Sequence, residues 1–158
     1  MINRIIKKFV DLEEAYAHCD VPCGIYDPYP AQIDAHTVLR MVDLMAGLED
    51  SDPEKKLKYA RYVATKELHA EALKNKVRVI FGDFLTPGKA SDDGALVDLV
   101  REIFKVASSA RQTSSKDVAN DLVEKVNKFS EMFWAVKGKS TRRIASPYPT
   151  GGEMVVPE

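Results

Sequence analysis

Both cysteines of the chain and one of its three histidines fall within His18-Cys19-Asp20-Val21-Pro22-Cys23, a stretch followed directly by Gly24-Ile25-Tyr26-Asp27-Pro28. Two thiols and an imidazole are soft donors, and at this spacing they can return to one ion through a tight turn, which makes the stretch a metal hook in outline. Pro22 stiffens such a turn, and Gly24 opens backbone conformations closed to other residues. The competing readings are a pair of small buried thiols or a reversible disulfide. A loop this short constrains little chain, however, and a thiol-redox pair normally keeps two residues between its cysteines near a strand–helix junction. Here three residues intervene, ahead of a proline-led helix.

The bulk composition narrows the rest. At 158 residues the chain is one domain's worth, and 23 basic side chains against 24 acidic ones leave a net charge of −1, so neither a nucleic-acid groove nor an anionic membrane surface is announced. No apolar run approaches the roughly 20 residues needed to cross a bilayer. The segment from Met1 to Ala17 places Ile2, Ile5, Ile6, Phe9, Leu12 and Tyr16 at helical spacing, yet Asp11, Glu13 and Glu14 interrupt it as no secretory signal would allow. It reads as an amphipathic leader that is not an export signal. Two cysteines alone make a poor disulfide framework, so a reducing, cytoplasmic setting is expected.

The elements that must position the hook follow in order. Asp27-Pro28-Tyr29-Pro30 predicts a rigid extended turn, since each proline fixes its own backbone and restricts its predecessor. Val38, Met41, Val42, Met45 and Leu48 predict a first helix from about Ala31 to Leu48. Asp52-Pro53-Glu54 starts a second one running to about Lys76. That helix carries two apolar stripes, Leu57, Ala60, Ala64 and Leu68 on one and Tyr59, Val63, Ala70 and Leu73 on the other, which hints at an extra subunit contact. Val77-Arg78-Val79-Ile80-Phe81 is β-branched but has no partner of like character, so a helix end or connector is expected. Gly82 to Gly88 breaks the pattern, and Ser91-Asp92-Asp93 opens a third helix lined by Leu96, Leu99, Val100, Ile103, Val106, Ala107 and Ala110. The fourth, after Ser114-Ser115, carries Val118, Leu122, Val126, Phe129, Phe133 and Val136. The set Phe129, Phe133 and Trp134 reads as core or subunit interface. From Lys137 onward no helical stripe remains, and the tail is expected to wrap over a neighbour or stay mobile. The fold class is therefore all-α, an antiparallel four-helix bundle with an N-terminal leader helix and a metal-binding hook. Its divisions are 1–17 leader, 18–30 hook and turn, 31–137 bundle, and 138–158 tail.

The run His18, Cys19, Pro22, Cys23, Gly24 and Tyr26 resembles the nickel-binding hook of nickel-containing superoxide dismutases, and the resemblance extends more weakly to about Val136. It implies a leader cut between Ala17 and His18 by a maturation peptidase, leaving His18 as the first residue. It further implies one nickel ion per subunit, held by the sulfurs of Cys19 and Cys23, the Cys19 backbone nitrogen and the His18 amine, with the His18 imidazole as axial ligand. The free amine is the decisive piece, because its pKa of roughly 8 lies within reach of metal competition near neutral pH, whereas a peptide nitrogen lies far above it. The reaction implied is disproportionation of superoxide to dioxygen and hydrogen peroxide. Tyr26 would stand at the open face of the metal, ordering water or substrate, and Asp20 would shape the pocket through its backbone. Asp34 falls where the family has a glutamate that orients the axial imidazole, His69 where it has that glutamate's arginine partner, and Phe84 where better-known members have a second tyrosine. A homohexamer is implied as well. His36 reads as a surface or packing residue. The alternative class is a non-catalytic metal-binding or metal-sensing bundle using the same Cys19, Cys23 and His18 uncut; structural zinc, however, asks for four protein donors, and a fourth is not evident.

Overall fold

Four stretches of apolar residues at helical spacing become four helices in the computed structural model, which describes residues 24–158. Helix α1 spans Tyr29–Ala46, α2 Lys55–Val79, α3 Asp93–Gln112 and α4 Lys116–Val136. Each packs on its chain neighbour, and α4 returns to α1, closing an antiparallel bundle. Val38, Leu73, Ile103, Leu122, Phe129 and Phe133 meet in the middle with essentially no solvent exposure. The leader helix expected over 1–17 and the hook residues 18–23 lie outside the described residues.

The helix starts follow side-chain chemistry. Asp92 accepts a hydrogen bond from the Ala95 amide at 2.9 Å and Ser115 one from Val118, each satisfying a first-turn donor that has no partner inside its helix. At the other end of α2 the apolar run is indeed a helix end. The chain then widens into one π-helical turn, Ile80–Phe84, closed by the Leu85 amide donating to the Ile80 carbonyl at 2.9 Å. Gly82 thus sits within this turn, and the helical path ends two residues later than the glycine suggests.

Two expectations are corrected. Tyr29 and Pro30 are not an extended turn but the first residues of α1, with Pro28 as the cap. A proline in the first helical turn gives up an amide that would have no partner there, and its fixed φ suits the helix. The tail does not stay loose: strands β1, Thr141–Ala145, and β2, Glu153–Pro157, pair antiparallel with Arg143 opposite Val155. Met154 and Val155 are fully buried against the bundle. The hairpin is short, its strands show neither clean alternation nor a helical period, and nothing in such a pattern stands out in the sequence. Gly151 and Gly152, both at positive φ, form the end of its connection.

On α2 only one of the two apolar stripes enters the core. Ala70 and Leu73 are buried, whereas Leu57 and Leu68 are 59% and 67% exposed. Among the described residues no helix is long and apolar enough to cross a membrane. Phe129 and Phe133 are core residues, and Trp134 is partly buried beside them.

Candidate metal centre

Downstream of Cys23 the chain enters the described region at Gly24, whose φ of +76° only glycine adopts without strain. Two residues on, Tyr26 is buried, its ring 5.4 Å from Phe84 on the π-helical turn, and Phe84 lies 5.1 Å from Phe133 of α4. The Lys137 ammonium stands at the end of α4 over these rings, 5.3 Å from the centre of Phe84 and 5.2 Å from that of Phe133. It donates to the carbonyls of Gly24 and Tyr26 at 3.4 Å each. A cation over aromatic faces is attracted to them, so this lysine ties the segment after the cysteines to the bundle. Asp27 then accepts the Tyr29 amide at 2.7 Å and steers the chain into α1.

The first turns of α1 carry Asp34, only 3% exposed. Its Oδ1 accepts from His69 Nδ1 at 2.8 Å, and its Oδ2 from the Lys76 ammonium. Carboxylate oxygens only accept, so His69 carries a proton on Nδ1. His69 and Lys76 lie seven residues apart on α2, two turns along one face, and so converge on a single carboxylate. Their side chains remain 32% and 39% exposed. Lys76 also borders a cleft of about 320 Å³ with Ile25, Tyr26, Asn75 and Ile80. Tyr26 and the Asp34 cluster therefore meet at the same opening, reached through Lys76.

A larger cleft, about 590 Å³, opens between α2 and α3 beside Tyr59, Lys66 and Arg111. It lies about ten residues earlier on α2, or roughly 15 Å along the axis. Its one fully buried cation is already committed: the Lys66 ammonium donates to the carbonyls of Ala110, Arg111 and Thr113 at 2.5, 3.1 and 2.5 Å. Burial lowers the pKa of Lys66, and its charge answers the carbonyl end of α3. Within that cleft Lys66 serves to cap α3.

The sequence profile described as nickel-containing superoxide dismutase matches residues 13–137. The chain belongs to this family. It is similar to the "Superoxide dismutase [Ni]" of Streptomyces coelicolor, 31% identical over 137 residues that cover 87% of this chain and 98% of the relative. The corresponding protein of Streptomyces seoulensis is 28% identical over the same shares. Among solved structures, a native nickel superoxide dismutase superposes with a TM-score of 0.66 at 31% identity, over 76% of this chain and 99% of that one. A structure with nickel ligation corresponding to the oxidized state superposes at 0.69 and 29% identity, over 77% and 99%.

Within this nickel-dismutase fold, the structure brings Asp34 and His69 into direct contact and sets Tyr26 against Phe84. His18, Cys19, Asp20 and Cys23, and the Ala17–His18 bond, lie outside the described residues. Two residues at the site escaped sequence reading. Lys76 could have been found from its two-turn spacing to His69 once that histidine was singled out; Lys137 leaves no signal, since its role depends on the end of α4 meeting Gly24. His36 is a packing residue, buried under the hairpin.

Proposed function

We propose that the chain is a nickel superoxide dismutase whose metal is held by the His18, Cys19 and Cys23 turn after removal of residues 1–17. One observation carries the assignment of the ligands. The family match runs through the turn that holds both thiols and an imidazole, and those soft donors are the ones this reading assigns to the metal. Their chemistry fits nickel: thiolates and an amine or amidate stabilise its higher oxidation state, as hard carboxylates would not. When bound, nickel supplies the one-electron couple that takes an electron from one superoxide and gives it to the next.

The remaining duties belong to the protein. Forming peroxide consumes two protons, and His69 Nδ1 and the Lys76 ammonium hold protons at the edge of the site. Asp34 has about four lone-pair directions and spends two on these partners, which leaves room to accept from a further imidazole such as that of His18. In this reading Asp34 is the shared acceptor that orients the N-terminal histidine, with Lys76 reinforcing a carboxylate one methylene shorter than the family's glutamate. Tyr26, packed on Phe84, limits access to the metal and orders water or substrate.

The mature enzyme would comprise residues 18–158, cytoplasmic, cut by a maturation peptidase and assembled as a homohexamer. The exposed Leu57 and Leu68 on α2 supply apolar surface for such contacts. Mass spectrometry of protein from its native host tests the reading: a first residue at His18 with one nickel per chain supports it. An intact leader with zinc would instead support a non-catalytic metal-binding bundle. Cys19→Ser or Cys23→Ser is expected to remove nickel and return superoxide decay to its spontaneous rate; full activity in either variant would refute the ligand assignment.

A further inference from the structure

The family match stops at residue 137, and the β-hairpin begins at Thr141, so the hairpin is an addition to the shared domain. It packs mainly on α4 and reaches the first half of α1 through β2 and the loop before it. The Gln32 side-chain amide, 1% exposed, uses both ends on one residue of β2: its Nε2 donates to the Val155 carbonyl at 3.0 Å, and its Oε1 accepts the Val155 amide at 2.7 Å. One turn later, His36 Nδ1 pairs with the Thr150 hydroxyl at 2.8 Å, and its ring lies 5.5 Å from Tyr148.

The other edge of the hairpin is fastened to α4. Asn127 Nδ2 donates to the Glu153 carbonyl at 2.9 Å, and Arg143 forks onto Glu124 at 2.7 and 3.0 Å while its Nε reaches Glu131 at 2.8 Å. The hairpin is thus a rigid bridge from α4 to one side of α1. Gln32 and His36 face it from positions on either side of Asp34, which points the other way, to α2.

We infer that the C-terminal hairpin is a positioning element for the metal centre, locking the rotation of α1 about its own axis and so holding the Asp34 carboxylate between His69 and Lys76. The inference rests, for its consequence in catalysis, on the dismutase reading above. Side-chain ends lie about 5–6 Å from a helix axis, so a rotation of roughly 10° carries a carboxylate about 1 Å. That is enough to leave hydrogen-bonding range, and displacements of that size can cost up to about 100-fold in rate. Asp34 is held from the α2 side by His69 and Lys76, and on the opposite side the hairpin grips α1 through the paired bonds of the Gln32 side chain to the Val155 backbone.

The test compares the full chain with Gln32→Leu, which removes both bonds to Val155 but keeps the bulk, with the milder Thr150→Val, and with Arg143→Ala, which loosens the hairpin from α4 and leaves α1 untouched. The His69 ring is read by nitrogen NMR without nickel, where the Nδ1 proton shared with Asp34 gives a slowly exchanging signal. Steady-state kinetics are then read after nickel loading. Gln32→Leu is expected to speed exchange of that proton and to lower kcat about tenfold at unchanged KM, with Thr150→Val in the same direction and smaller, and Arg143→Ala within about twofold of the parent. A His69 signal unchanged in Gln32→Leu and Thr150→Val overturns the inference. So does a parental kcat once that signal is lost, or an equal fall in Arg143→Ala, which would mark a general loss of stability. If the nickel-loaded parent chain were itself inert, the dismutase reading would fail, while the NMR comparison would still decide whether the hairpin holds Asp34.

Discussion

The two sides of α1 solve the problem of burying polar groups in opposite ways. Toward the hairpin, Gln32 and His36 bond to backbone and to a hydroxyl, neutral partners with no charge to strip of water. Toward α2, Asp34 buries a full charge against two side chains that remain about a third exposed. Neutral amide-to-backbone pairs of this kind specify geometry at small cost, whereas a buried carboxylate must be compensated by its partners and is a weak way to build stability. The contrast teaches where to look for chemistry: the costly, charged cluster stands beside the cleft and Tyr26, and the inexpensive one is scaffolding.

The comparison can be broken most severely from the hairpin side. Met154→Ala empties a fully buried site and should cost about 3 kcal/mol, read as a lower urea midpoint at unchanged slope. On the other side, Asp34→Asn leaves His69 and Lys76 without their counter-charge. Because both are partly solvated, the expected loss is about 2 kcal/mol rather than the 3–5 of a sealed pair. Dismutase activity should fall with it; a variant that lost stability but kept full turnover would deny the cluster a role in the reaction.

Acid should separate the two sides further. Burial pushes the pKa of His36 below its ordinary 6.5, against a smaller opposing effect of the Glu153 carbonyl. The unfolded chain therefore takes up a proton first, and this histidine's contribution to stability is complete above about pH 7 and declines as pH falls through 6.5 toward the folded-state value. His36→Gln should flatten that part of the pH–stability curve, and an unchanged curve would contradict the assignment. Arg143→Ala, with its guanidinium 30% exposed, should cost under about 1 kcal/mol and lose that effect in high salt. Smallest of all for the subunit itself, Leu68→Ser should move the unfolding free energy by no more than about 0.5 kcal/mol. If α2 is a subunit contact, it should nevertheless lower the assembly mass seen by light scattering.

Much of the bundle was legible because helices report themselves locally. The period of Leu96, Val100, Ile103 and Ala107, or of Leu122, Val126, Phe129 and Phe133, needs no knowledge of a partner, and Asp92 and Ser115 mark their helix starts by side-chain chemistry alone. The stripe Leu57, Ala60, Ala64 and Leu68 was equally visible, and its exposure shows the limit of such reading, since periodicity says that a face is apolar and not what covers it. The hairpin was missed for a related reason. Arg143 and Val155 become a pair only through a ladder closed across a loop, and five-residue strands offer too little alternation to stand out from a tail. At the site, Asp34 and His69 could be singled out and Lys76 followed from its two-turn spacing to His69, while Lys137 left no signal, because its role depends on where the end of α4 meets Gly24.

What the amino-acid sequence determined by itself is the chemistry available: two thiols and an imidazole within six residues, and four amphipathic segments long enough to carry them. Those properties depend on residue type and spacing along the chain, which are local. What only the tertiary structure decided is which distant groups share a site. The contact of Asp34 with His69 and Lys76, the bonds of Lys137 to Gly24 and Tyr26, and the grip of Val155 on Gln32 across 123 positions all arise from the angle and rotation at which packed helices settle. That setting is fixed by the summed packing of the whole core, and no short stretch of sequence contains it.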